Sequence, residues 1–129
     1  MKTITKILLL SLAVGLAAAG LSAIFNTASA QTAAPEDLSE AERTTLLHMA
    51  AEEKLAHDVY IALYEKWDLP LFQRIARSET NHFDRMFQLL GVYGISSNLD
   101  QLEAGEFGDP VFDQLYDDLV SRGLESEEE

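Results

Sequence analysis

Apolar side chains recur along residues 39–123 at the three- and four-residue steps of helices that each bury one face. The first seam reads Leu46, Met49, Ala56, Tyr60, Leu63 and Trp67, and the one position it skips is held by Glu53. Ahead of it, Ser39-Glu40-Ala41-Glu42 has the spacing of a capping box, in which the Ser39 hydroxyl accepts from the Glu42 amide and Glu42 reaches back. A helix is expected to begin there. Asp68-Leu69-Pro70 breaks the pattern: Asp68 or Leu69 caps, and Pro70 fits the first turn of a second helix. A connection this short makes the two helices antiparallel neighbours. The second seam runs Phe72, Ile75, Glu79, His82, Met86, Leu89 and Tyr93, with Gly94 expected as its C-terminal cap. After a loop over 95–108, Asp109-Pro110 opens a third helix, with the stripe Val111/Phe112, Leu115/Tyr116 and Leu119/Val120, which Arg122-Gly123 closes. No run reads as a strand. The expected class is all-α, a long antiparallel helix hairpin plus a short third helix.

The first thirty residues have a different character. Lys2 and Lys6 precede an apolar run of 19 residues from Ile7 to Phe25, and Ala28 and Ala30 stand in an A-x-A arrangement before Gln31. This pattern predicts a secretory signal peptide over 1–30, removed on export to the periplasm or the extracellular space. Retention as a membrane anchor is the competing reading, since the run is long enough to span a bilayer. Once the peptide is cleaved, the mature chain is expected not to be embedded in the membrane. The expected organisation is then a linker over 31–38, a helical domain over 39–123 and an acidic tail over 124–129.

Charge sharpens the picture. All 22 acidic residues fall after position 30 against seven basic ones, which leaves −15 on the mature body. Clustered positive charge supplies nucleic-acid affinity, so a nucleic-acid partner is excluded, and cations are the favoured ligands. With no cysteine, disulfides, thiolate metal sites and cysteine nucleophiles are also excluded.

The candidate chemistry lies at Glu53, Glu79 and His82, each at a position where periodicity demands an apolar residue. A buried carboxylate must find a proton, a partner or a metal. Glu79 and His82 are three apart and share a helix face. Counting back from Asp68, Glu53 lies 15 residues away and Glu79 lies 11. That offset of about 6 Å along the axis is within carboxylate reach. A Glu-x-x-His pair alone arises by chance in acidic helices; three such residues in two facing seams form half of a bundle metal site. Carboxylate oxygens and an imidazole suit iron or manganese. The alternative is a hydrogen-bonded polar cluster without metal. His57, one turn after Glu53, is either an added ligand or, as its place at the seam's edge favours, a surface residue. Glu52 and His48 lie off the seam and are expected in solvent. Tyr60, Trp67, Phe72 and Phe83 are expected as packing residues, with Tyr60 also able to hydrogen-bond a ligand carboxylate. Asp113, Asp117 and Asp118 form a charged face without a calcium-loop motif.

The stretch Glu53-Lys-Leu-Ala-His-Asp-Val-Tyr60 resembles the first-helix pattern of rubrerythrin-type members of the ferritin-like superfamily, and Ala76-Arg-Ser-Glu79-Thr-Asn-His82 resembles their second-helix Glu-x-x-His. Residues 51–67, with Gly105-Glu-Phe and Leu115-Tyr-Asp-Asp-Leu-Val120, are similar to an uncharacterised ferritin-like family, domain of unknown function 2202. The resemblance spans about 38–123 and implies a four-helix bundle with di-iron held by carboxylates, in which Glu53, Glu79 and His82 would be ligands. It implies oxidase- or peroxidase-type activity where a complete site forms; no catalytic residue is assigned. The sequence departs from the family pattern after Gly123, where further helices with another Glu and a second Glu-x-x-His are expected. Two readings follow: a truncated bundle, or a homodimer in which each copy supplies half a site.

Overall fold

A computed structural model describes residues 37–125, and the capping box expected at their start is formed. The Ser39 amide donates to Glu42 Oε2 at 2.8 Å, and the Glu42 amide donates back to Ser39 Oγ at 3.3 Å. Helix α1 runs from there over Glu40–Trp67, and its chain stops by turning Asp68 left-handed at φ 49°. Pro70 begins α2 (Pro70–Val92) after Leu69, so the hairpin turn is as short as the sequence suggested. The end of α2 is a Schellman motif: the Ile95 amide reaches the Leu90 carbonyl and the Gly94 amide that of Gly91, with Gly94 at φ 64°. A 3-10 turn (Leu99–Gln101) lies in the loop, and α3 covers Pro110–Leu124 with the Asp109 carboxylate accepting from the Val111 amide. Among the described residues there is no strand, and the class is all-α.

Helix α1 is central. Helices α2 and α3 and the 3-10 turn all pack against it. Its buried set wraps most of its circumference, with Leu46, Met49, Glu53, Tyr60 and Leu63 in one stripe and Ala51, Lys54, Leu55 and Asp58 on the other side. Tyr60 stacks on Phe72 of α2, with ring centroids 6.1 Å apart. The far end of the hairpin is tied to α3 by Trp67, whose indole N–H donates to the Gly123 carbonyl at 2.9 Å.

Two expectations for α3 are corrected. Gly123 does not close the helix, which continues to Leu124. It is a buried contact point, where a Cβ would come within 2.4 Å of Leu63 Cδ2. Val111 is not part of the buried stripe; it is 73% exposed while its neighbour Phe112 is buried, because the helix turns Phe112 onto Phe107 and His48. The expected signal segment, the linker up to residue 36 and the tail from residue 126 lie outside the described residues. Within them, no helix is long and apolar enough to cross a membrane.

Candidate metal centre

The hairpin brings Glu53, Glu79 and His82 together. One donor atom from each lies within 4.8 Å of the others. The four-residue offset along the axis is therefore taken up by the side chains and the antiparallel packing. His82 Nδ1 sits 3.0 Å from Glu79 Oε2 and 3.4 Å from Glu53 Oε2. The two carboxylates are buried, as the seams require, but the imidazole is not: its side chain is 45% exposed. The cluster thus has a dry floor of carboxylates and one member facing outward.

Glu53 is the unsatisfied member. Its Oε2 is buried and has no hydrogen-bond partner; His82 Nδ1 is within ion-pair distance of it but makes its hydrogen bond to Glu79. Burial is the main reason its carboxyl is pushed up to about 7, and the adjacent Glu79 carboxylate adds to the effect, with His82 opposing it. An orphaned buried oxygen, a second carboxylate and an imidazole at this spacing fit a divalent metal of the iron or manganese kind. They supply three donors, and such ions accept up to six.

A second buried cluster escaped the sequence reading. Lys54 and Asp58, on the other side of α1, form an ion pair of 2.6 Å with 8% and 6% of their side chains exposed. Lys54 Nζ also donates to the Glu103 carbonyl at 2.9 Å and lies 4.7 Å from the centre of the Phe107 ring. Asp58 Oδ2 accepts the Gly105 amide at 3.1 Å, and Oδ1 lies 2.9 Å from His57 Nδ1. Burial would raise the Asp58 carboxyl, but the hydrogen bonds from His57, Lys54 and Gly105 outweigh it and hold it below its ordinary value. Burial and the negative Asp58 push the Tyr116 phenol up. Gly105 is confined here twice over: its φ is 83°, and a Cβ would stand 2.6 Å from the Tyr116 ring. The signal available in the sequence was the four-residue spacing of Lys54 and Asp58 together with the Gly105-Glu-Phe run.

His57 is consequently not a free surface residue. It is partly exposed and anchored to Asp58, and it is not among the three clustered donors. His48 and Glu52 lie off the seam as expected, 3.5 Å apart, with the His48 ring edge-on to Phe112.

The site is thus a cluster of two carboxylates and an imidazole held between two antiparallel helices of an all-α protein. The model of the uncharacterised protein domain DUF2202 matches residues 42–129, and the chain belongs to that family. It is 44% identical over 92 residues to the uncharacterised protein MJ0754 of Methanocaldococcus jannaschii, a match that covers 71% of this chain and 50% of the relative. The crystal structure of that hypothetical protein superposes with a TM-score of 0.69 at 42% identity, over 77% of this chain and 55% of the other. The chain thus spans about half the length of the relative it matches.

Proposed function

We propose that this protein is an exported, ferritin-like metal-binding protein that holds iron, with manganese as the alternative, on Glu53, Glu79 and His82 for redox chemistry or iron handling. The observation that carries the reading is the convergence of three donors from two helices within 4.8 Å, one of them a buried carboxylate oxygen with no hydrogen-bond partner. Iron, when bound, would supply electron transfer to or from oxygen or peroxide. The chain's own residues prepare the place. Below about pH 7 Glu53 holds a proton while no cation is near, Glu79 holds His82 Nδ1 at 3.0 Å beside the cluster, and both carboxylates are buried. Export rests on the basic start, apolar run and A-x-A pattern of residues 1–30, and N-terminal sequencing of the mature protein should begin at Gln31.

The test is an anaerobic Fe²⁺ titration followed by thermal melting. A specific ligand stabilises the folded state by mass action, so the melting temperature should climb with Fe²⁺ and should fail to climb in Glu79→Ala. A flat response in the parent protein would end the metal reading. The second reading is a non-catalytic helical interaction module with a vestigial half site. The exposure of Val111 and Leu115 on α3 favours it, and it predicts that same flat response.

A further inference from the structure

Helix α2 is charged unlike the rest of the chain. It carries three of the seven basic residues of 31–129 but two of the 22 acidic ones, and one of those two is the buried Glu79. Arg74, Arg77 and Arg85 are all exposed, and none of them forms an ion pair with a described residue. Other cations of the body are engaged: Lys54 with Asp58, Lys66 over the Trp67 ring, Arg122 on the Asp118 carbonyl. We propose that the outer face of α2 binds a small polycarboxylate anion, and that the carboxylate–imidazole cluster beside it takes iron from the ferric chelate of that anion. The proposal rests on the metal reading above and names the form in which the cluster meets its metal.

The helix sets the spacing. Arg77, Asn81 and Arg85 follow one another at four-residue steps on the side opposite the buried Phe72, Ala76 and Met86. The two arginines are about 12 Å apart along the axis, so both long side chains can converge on one small ion over Asn81. Asn81 leaves that space open, because its Nδ2 is folded back to donate to the Arg77 carbonyl at 3.0 Å. Arg85 stands three residues after His82, one turn from the exposed member of the cluster. Asp84, the exposed acid of this helix, lies on the Arg77 flank, away from His82, and so biases an anion toward the cluster.

The chemistry sets the ligand class. A guanidinium pairs with a carboxylate through two parallel N–H···O bonds, so two arginines take two carboxylates. A third carboxylate of the same anion then remains on its metal. The acidic body repels anions, but charges more than about 10 Å away are largely screened at 0.1 M salt, which leaves the two adjacent arginines to decide at this face. The same arginines oppose a bare cation, so a chelate with negative charge has the easier approach to His82. Transfer is ligand exchange: Glu53, Glu79 and His82 take the places of the anion's donors on Fe³⁺, no electron moves, any proton on Glu53 passes to solvent, and the anion departs.

Calorimetric titration of citrate into the metal-free protein near neutral pH, paired with the rate of iron uptake from ferric citrate, tests this. Arg77→Glu/Arg85→Glu should weaken citrate binding about tenfold or more and slow the uptake by a similar factor. Its affinity for aqueous Mn²⁺ should not fall, since the change adds negative charge near a cation site. Both positions are exposed, so this variant should keep the helical circular dichroism and melting temperature of the parent. Glu79→Ala should keep citrate binding and lose both Mn²⁺ binding and iron uptake. Citrate binding that is absent, or unaltered by the double variant, overturns the anion site; the metal reading stands if Glu79→Ala still abolishes Mn²⁺ binding. Citrate binding lost in the double variant with iron uptake at the parent rate overturns the delivery. Mn²⁺ binding that Glu79→Ala does not alter overturns the metal reading, and the delivery falls with it.

Discussion

Lys54 and Asp58 stand one turn apart on α1 and meet in a 2.6 Å ion pair buried at both ends. Neither group is satisfied by the other alone. The ammonium also reaches the Glu103 carbonyl and the carboxylate also takes the Gly105 amide, so the pair joins the loop before α3 to the central helix. The loop has no regular partner for these backbone groups, and a buried backbone N–H or C=O left without one is costly. The pair therefore serves as the loop's hydrogen-bonding partner, and Phe107 covers it from one side.

Removing one member of that pair should cost more than removing both. Asp58→Ala leaves a buried cation without an anion and should destabilise the fold by about 3–5 kcal/mol in urea denaturation. The double variant Lys54→Met/Asp58→Ala removes the stranded charge and should recover part of that loss. A double-mutant cycle with no coupling between the two positions would show that the ion pair does not hold the loop.

Stability should depend on pH at both ends of the range. The folded Asp58 carboxyl titrates below its ordinary value, so its contribution is present above the unfolded carboxylate range and is lost as pH falls through the lowered value. Glu53 acts in the opposite sense in the metal-free protein. Raised from 4.5 to about 7, it contributes stability that is complete below 4.5 and is lost as pH rises through about 7. Melting temperature in chelator should thus fall on the acid side and again from weakly acid to weakly basic pH. Glu53→Gln, which cannot ionise, should remove the second fall and leave the first. If the neutral-side decline persists in that variant, Glu53 is not its source.

Gly123 offers a case where helix propensity and packing disagree. Alanine in a helix interior is favoured over glycine by about 1 kcal/mol. The added Cβ, however, would stand 2.4 Å from Leu63 Cδ2, at a residue that is 1% exposed. Overpacking of that kind costs about 1–3 kcal/mol, so Gly123→Ala should be destabilising on balance. In the Leu63→Ala background, which by itself should cost about 2–5 kcal/mol, the same change should become neutral or stabilising because the methyl enters the vacated space. Additive effects of the two changes would argue that α3 does not press on Leu63.

These residues also separate what could be read in the sequence from what could not. Glu53 and Glu79 were legible because each interrupts a clear apolar seam, and an interruption on a face with only one neighbour has few explanations. Lys54 and Asp58 were hidden because α1 is buried on more than one side. A periodicity argument assigns one face to the core and the rest to solvent, so it sends any charge off the seam to water. Their burial depends on the 95–108 loop folding back, a long-range event without a periodic signature. His82 shows the reverse error. The seam placed it inside, but it sits at the edge of the α1–α2 contact and its side chain is 45% exposed. Helix starts and stops were read almost to the residue because capping chemistry is local, as Ser39, Pro70, Gly94 and Asp109 show.

Metal binding should release protons, and the count should depend on Glu53. A carboxylate must be ionised to act as a metal ligand, and near pH 6 the Glu53 carboxyl, raised to about 7, holds its proton in the metal-free protein. Mn²⁺ uptake at that pH should therefore expel about one proton from Glu53 at each site. Titration calorimetry in buffers of different ionisation enthalpy measures this as a slope of apparent enthalpy against buffer enthalpy. The slope should shrink as pH rises past 7, when Glu53 is already ionised, and apparent affinity should rise over the same interval. Glu53→Gln should bind more weakly, because an amide oxygen replaces a charged donor, and should release about one proton fewer per site. Weaker binding with the release intact would mean that the proton leaves another group and that Glu53 supports the cluster without ligating the ion.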